Sequence, residues 1–205
     1  MEKKEDPRSK FKVIPGGRCS EITVGSVRIV PAPPDQPPFP VEAVVFEEDT
    51  YLVLSADSDR IEMDDHPVVI LTEALEAEPE RPGSVVVRED APLRFLAGIH
   101  DLDQDPSWRE EWIRKALEGI FQEGERRNLH SIELPFLGTK YGSLPKACFL
   151  RLLREFLEQS PFLPSLRVWL VLPGDTGGDI IDWIEPVLKG QGGPGPGPGS
   201  LPERS

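Results

Sequence analysis

The alternation of apolar runs with amphipathic helical segments in the second half of the chain constrains the fold most strongly. Strand patterns occur at 84–90, 93–102, 130–135 and 165–172, and helical patterns at 107–127, 145–159 and 178–189. Strands separated by helices are joined by crossovers, which places them side by side and parallel. The sequence therefore predicts the α/β class, as a three-layer α/β/α sandwich with a mixed, largely parallel sheet.

The first half of the chain is less regular. Its patterns predict one strand or a two-strand turn at 21–30, a buried strand at 41–46, a short strand or a loop at 50–60, and a helix at 67–78. The stretch 31–40 holds six prolines, each without a backbone donor. This stretch predicts an extended connection and excludes a helix or a central strand.

The helix at 107–127 carries the clearest local signals. Ser107 and Glu110 form the S-x-x-E pattern of a capping box, which predicts a cap from the Ser107 side chain. Glu110–Arg114 and Glu111–Lys115 are four residues apart with the acid leading. This order favours ion pairs along the helix.

Composition divides the chain into a body and two ends. Residues 1–20 contain six basic and three acidic side chains and predict a flexible basic N-terminus, whereas 190–205 alternate Gly with Pro and predict a disordered tail. Residues 21–189 are expected to form one domain. No apolar run approaches the ~18 residues of a spanning helix, and no apolar segment follows the N-terminal charges. We therefore expect no membrane partner and a cytoplasmic location.

The net charge and the spacing of possible metal ligands predict neither a nucleic-acid-binding surface nor a metal site. The net charge of −13 makes the body repel a nucleic-acid backbone, so no nucleic-acid partner is expected. Cys19 and Cys148 are far apart in sequence, and none of the three histidines stands at ligand spacing from them. No metal site is therefore expected.

The segment "LPFLGTKYGSLP" (134–145) lies between a predicted strand and a predicted helix. A helix N-terminus leaves backbone N–H groups unpaired and favours an anion, and Gly138 and Gly142 allow the backbone to come close to one. Thr139 offers a hydroxyl, Lys140 a positive charge and Tyr141 a ring that can stack on a ligand. From spacing alone, a phosphate-holding loop and an ordinary strand-to-helix turn both stay open.

The order of these segments resembles a macro domain, the α/β/α module that binds ADP-ribose in its family. The segments that carry the resemblance are "VEAVV" (41–45), similar to the family's V-D-A-I-V strand; 82–102, which ends in Ile99–His100; the helix 107–127; and "LHSIELPFLGTKYGSLP" (129–145), similar to the family's S-I-x-x-P strand and L-G-T-G phosphate loop. The resemblance covers about residues 20–189. It implies a small nucleotide ligand such as ADP-ribose, contacted by Gly138, Thr139, Lys140, Tyr141, Gly142 and His100.

The chain also departs from the family's pattern. Phe46 and Asp49 stand where active members have asparagines, and no glycine occurs from Thr50 to Arg60. Lys140 replaces a glycine of the L-G-T-G loop, which either narrows the pocket or adds a phosphate contact. The resemblance therefore implies ligand binding without the usual hydrolase activity, and it assigns no catalytic residue.

Two other functions stay open. One is an ADP-ribosyl hydrolase with a non-standard site, for which Asp49, Asp57 and His100 are the candidate bases. The other is an interaction or scaffold protein that kept the fold and lost the ligand, with protein partners at the Pro-rich stretch 31–40 or the tail. We expect Glu47, Glu48 and Asp49 to lie in a solvated turn and His100 to bond a neighbouring carbonyl. No cofactor is expected.

Overall fold

The computed structural model describes residues 21–54, 78–160, 166–173 and 180–191. The predicted N-terminal segment 1–20 lies outside these ranges, and so do the tail from 192 onward, Asp57, and the helix predicted at 67–78 except for its last residue. Within the described residues the chain forms seven strands and three helices. The domain boundaries drawn from composition stay predictions.

The seven strands form one mixed sheet. In chain order they are β1 (Ile22–Val24), β2 (Val27–Ala32), β3 (Ala43–Asp49), β4 (Ser84–Arg88), β5 (Leu93–His100), β6 (Ser131–Leu134) and β7 (Arg167–Val171). Their spatial order is β1-β2-β7-β6-β3-β5-β4. The five central strands are parallel, and only the two outer pairs, β1–β2 and β4–β5, are antiparallel. The predicted α/β class with a mixed, largely parallel sheet is confirmed.

The three described helices are α1 (Glu110–Arg126), α2 (Lys146–Gln159) and α3 (Ile180–Leu188). Each contributes buried residues to one apolar core shared with alternate residues of the strands. A smaller cluster of Val30, Ala32, Phe39 and Trp169 lies on the opposite face of the sheet. The sheet is therefore buried on both faces where these clusters meet it, as parallel strands require.

The Pro-rich stretch enters the sheet, which corrects the prediction of a pure connection. Strand β2 continues through Pro31 to Ala32, and Pro31 is paired with Leu170 of β7. Pairing of β2 with β1 stops at Ile29, so beyond that point β2 has a neighbour on one side only within the described residues. A residue without an N–H is tolerated there because only one of its edges needs a ladder hydrogen bond. Of the two alternatives predicted for 21–30, one strand or a two-strand turn, the structure has the two-strand turn, with Gly25 at φ +58°.

The predicted capping box is wrong. Helix α1 begins at Glu110 with Arg109 as the N-cap residue, and no side chain in the described part of the chain caps it. The hydroxyl of Ser107 lies 3.1 Å from Nδ1 of His100 instead. The expected ion pair between Glu110 and Arg114 is replaced by pairs from each of them to α2. Tertiary contacts therefore outweigh the local pattern at both places.

No helix among the described residues is both long and apolar enough to cross a membrane.

Candidate functional site

The candidate site lies where three neighbouring parallel strands end. Strand β3 lies between β5 and β6 in the sheet, and all three run in the same direction. Their carboxyl ends carry the acidic run 47–49, His100 and the loop 138–142 respectively. In open α/β sheets this edge is where ligands bind.

The acidic run is buried, which overturns the expectation of a solvated turn. Glu47, Glu48 and Asp49 are the last three residues of β3 and are 7%, 0% and 0% exposed. The strand continues past the apolar "AVVF" because β5 pairs with it to its end, at Asp49 and His100. Buried carboxylates require hydrogen-bond donors, so the partners of these acids define the site.

Glu47 supplies the partner of His100. Oε1 of Glu47 lies 2.6 Å from Nε2 of His100, and the ring is 1% exposed. Nδ1 of His100 lies 3.1 Å from the hydroxyl of Ser107. The imidazole is thus held between a carboxylate and a hydroxyl, and the expected carbonyl partner is wrong.

The second oxygen of Glu47 holds the loop. Oε2 accepts a hydrogen bond of 3.1 Å from the backbone N–H of Gly138. Thr139 donates from both its N–H and its hydroxyl to the carbonyl of Phe136, at 3.3 and 2.8 Å. The first half of the loop is therefore fixed from within the chain, and one carboxylate ties the ends of β3 and β5 to it.

The two loop glycines are required by shape. Gly138 has φ +78°, a conformation that costs little only for glycine. A Cβ on Gly142 would lie 2.5 Å from Cδ1 of Trp108 and 2.6 Å from the carbonyl oxygen of Gly138. The loop therefore lies directly against the segment that carries Ser107.

The second half of the loop has unused donors. Among the residues that the structure describes, the N–H groups of 140–143 donate no hydrogen bond. Nζ of Lys140 lies 4.5 Å from the centroid of the Tyr141 ring and is paired with no acid in the described part of the chain. Tyr141 is 41% exposed, and its ring meets that of His100 edge-on at 6.3 Å. Four backbone N–H groups and one cation of this loop are therefore available to bind an anion.

Asp49 closes the end of β3. Its Oδ1 accepts hydrogen bonds from the N–H groups of Tyr51 at 2.6 Å and Val53 at 3.4 Å, the pattern of an Asx turn. Its Oδ2 is buried and has no hydrogen-bond partner among the residues that the structure describes. The carboxylate therefore shapes the turn where the family pattern would place an asparagine.

The structure brings the predicted site residues together around Glu47 and Ser107, two side chains for which the sequence predicted other roles. His100 and Tyr141 are in ring contact, and the loop 138–142 is bonded to the end of β3. Glu47 and Ser107 join the site instead of lying in a solvated turn and a helix cap. The acid run directly after a buried strand was the one available signal for Glu47, while Ser107 had none beyond its place between His100 and the helix.

Comparison with proteins of known structure identifies the fold of this chain. No model of a protein family matches the sequence, and no curated protein matches it. Several macrodomains of solved structure are similar to the chain: that of Thermus aquaticus DarG (21% identity, TM-score 0.54, 72% of this chain and 99% of that one), the Oceanobacillus iheyensis macrodomain with ADP (13%, 0.58, 84% and 93%), and the Trypanosoma brucei macrodomain in complex with ADP-ribose (17%, 0.50, 72% and 65%). Together with the mixed seven-stranded sheet and the loop after β6, these matches show that the chain has the macrodomain fold.

Proposed function

We propose that this chain binds ADP-ribose or a related nucleotide diphosphate through the loop 138–142, without the usual hydrolase activity of the family it resembles. The observation that carries the proposal is the run of N–H groups at 140–143, beside Lys140, that donate no hydrogen bond to any described residue. Two of the similar macrodomains contain ADP or ADP-ribose in their solved structures, which supports the class of ligand.

The charges at the site are compatible with a diphosphate. Both oxygens of Glu47 already face donors, on His100 and Gly138, which offset part of its negative potential. Lys140 is exposed, and its ammonium is paired with no acid among the described residues. A diphosphate bound at 140–143 would therefore meet positive charge first, while the exposed ring of Tyr141 offers a stacking face to a base.

Each predicted ligand contact has a role in this proposal. The N–H groups of Lys140, Tyr141 and Gly142 bind phosphate oxygens, and Thr139 fixes the curvature that presents them. Gly138 and His100 form the base of the site, because their own polar groups are bonded within the chain.

A charge series at Lys140 tests the electrostatic part. We expect calorimetry with ADP-ribose to give measurable binding to the wild type, about tenfold weaker binding to Lys140→Gln and weaker binding still to Lys140→Glu. Lys189→Glu, which makes the same change at the end of α3, is the matched control and is expected to bind as the wild type does. A folded wild type that releases no heat with ADP-ribose, ADP or AMP would contradict the proposal.

Gly142→Ala tests the shape of the loop. The added methyl group would overlap Trp108 and the Gly138 carbonyl, so the loop must move. We expect a loss of about 1–3 kcal/mol in the free energy of unfolding, together with loss of ADP-ribose binding. Ser143→Ala removes a hydroxyl from the next residue, adds no atom and keeps the N–H, so it is expected to retain affinity. Unchanged binding by a folded Gly142→Ala variant would remove the loop from the site.

A further inference from the structure

The chain Ser107–His100–Glu47 has the connectivity of a nucleophile, a base and an orienting acid. The hydroxyl of Ser107 lies 3.1 Å from Nδ1, and the carboxylate of Glu47 lies 2.6 Å from Nε2 of the same ring. A nucleophile within hydrogen-bond reach of a base that a third group orients is the general arrangement for covalent catalysis. We propose that Ser107 is an activated nucleophile that accepts acyl groups from carboxylic esters.

The hydrogen bonds set the direction of proton movement. An ionised carboxylate only accepts, so Nε2 of His100 carries the proton that faces Glu47. In the neutral ring Nδ1 is then the acceptor, and the hydroxyl of Ser107 donates to it. This is the polarity that activation of a serine requires, because the base already holds the hydrogen bond along which the proton leaves.

The base and the orienting acid are buried, whereas the nucleophile is only half-buried. His100 is 1% exposed and the side chain of Glu47 5%, so water does not compete for their hydrogen bond. Ser107 is only half-buried, and Pro106 and Arg109 in the same segment are exposed, so this end of the cluster lies nearer to solvent than His100 and Glu47 do. The N–H of Asp101 donates to the carbonyl of Ser107 at 2.7 Å and fixes the serine backbone.

Donors for a developing oxyanion lie in the same region. The N–H of Trp108, directly after Ser107, donates no hydrogen bond within the described residues. The Trp108 side chain contacts the loop at Gly142, so the N–H groups of 140–143, which donate to no described residue, belong to a loop that adjoins this segment. Backbone donors of this kind stabilise the negative oxygen of a tetrahedral intermediate.

The reaction balances without an added cofactor. Oγ of Ser107 attacks the carbonyl carbon of the ester while its proton passes to Nδ1 of His100. The tetrahedral intermediate collapses, the bond to the alcohol oxygen breaks, and that oxygen takes the proton from Nδ1. Water then attacks the acyl-serine by the same route, giving its proton to Nδ1, from which it returns to Oγ as the carboxylic acid leaves.

Glu47→Gln separates this role from a structural one. The Gln amide N–H₂ can donate to Nε2 and its oxygen can accept from Gly138, provided that the ring changes tautomer and Nδ1–H donates to Ser107. The variant would keep every hydrogen bond of the cluster but lose the acceptor at Nδ1. If the cluster is only structural, the variant should therefore behave as the wild type does. If Ser107 is a nucleophile, it loses the base that takes its proton.

The experiment measures the rate of covalent labelling by a fluorophosphonate probe, with the modified residue located by peptide mass spectrometry. We expect stoichiometric labelling at Ser107 in the wild type and in Ser160→Ala, a control that removes the hydroxyl of another half-buried serine, at the end of α2 and outside the site. Labelling should be absent in Ser107→Ala and at least about 100-fold slower in Glu47→Gln. With p-nitrophenyl acetate, the wild type should release p-nitrophenol in a burst that Ser107→Ala lacks.

Two outcomes would overturn the proposal. One is a folded wild type with no modification at Ser107. The other is a Glu47→Gln variant that is labelled as fast as the wild type, because the serine would then react without help from His100. Neither outcome depends on ADP-ribose binding, so the nucleotide proposal stands or fails separately.

Discussion

Two clusters in this molecule consist of carboxylates bound to nitrogen donors, but one cluster is buried and the other is partly exposed to solvent. In the buried cluster Glu47 binds His100 and Gly138 at the end of β3, with its side chain 5% exposed. The helix cluster joins α1 to α2 through side chains that are 28–46% exposed: Arg114–Glu155 at 2.7 Å, Arg151–Glu110 at 2.9 Å and Arg151–Glu155 at 3.2 Å. Burial, and not the type of contact, decides how much each cluster contributes to the free energy of unfolding.

In the helix cluster water can replace any partner that is lost. The hydrogen bond from Arg114 lowers the pKa of Glu155, and hydrogen bonds from Cys148 and Arg151 lower that of Glu110. Burial, together with the hydrogen bond to Glu110, raises the pKa of the Cys148 thiol, so this thiol stays protonated at neutral pH. In the buried cluster no solvent reaches the partner left behind, so the loss of one group leaves another unpaired in the protein interior.

The largest effect is expected for Glu47→Ala. The change leaves Nε2 of His100 and the N–H of Gly138 without an acceptor, so the free energy of unfolding should fall by about 3–5 kcal/mol. Urea denaturation measures the loss, with Glu47→Gln as the variant that restores both contacts by the tautomer change. A loss below about 1 kcal/mol for the alanine variant would show that burial does not make the contacts of Glu47 more stabilising than those of the helix cluster.

A smaller effect is expected for Arg151→Ala. This side chain is 39% exposed and pairs with two carboxylates of the helix cluster, so its removal should cost at most about 1 kcal/mol. The difference from the wild type should shrink in 1 M salt, where charges are screened. Arg126→Ala, which breaks a pair within α1 alone, controls for general loss of charge. A cost as large as that of Glu47→Ala would contradict the comparison.

The smallest effect is the pH dependence of Glu155. Because its pKa in the folded protein lies below the ordinary 4.5, its contribution is present above pH 4.5 and is lost as the pH falls through the folded-state value. The difference in the free energy of unfolding between wild type and Glu155→Gln should therefore decline from pH 6 to pH 3. A difference that grows on acidification would reverse the assigned sign.

Sequence reasoning succeeded where the signal was periodic and local. The amphipathic pattern of α1 and the apolar runs of β3 and β5 located these elements to within a few residues, because burial imposes its spacing on the sequence. It failed at Ser107, where the capping pattern was present but the hydroxyl bonds His100. It also failed for Glu47–Asp49, since three acids in a row are typical of solvent exposure.

The sequence by itself determined the alternation of strands and helices, the class of sheet they form, and the placing of a glycine loop at a strand's carboxyl end. Only the tertiary structure decided which residues meet there. Glu47 is 53 residues from His100 and 91 residues from Gly138 in the sequence, and the three come together through strand order alone. Periodicity encodes which face of an element is buried. The partner that a buried carboxylate finds depends on how the parallel strands are ordered, and no local pattern carries that information.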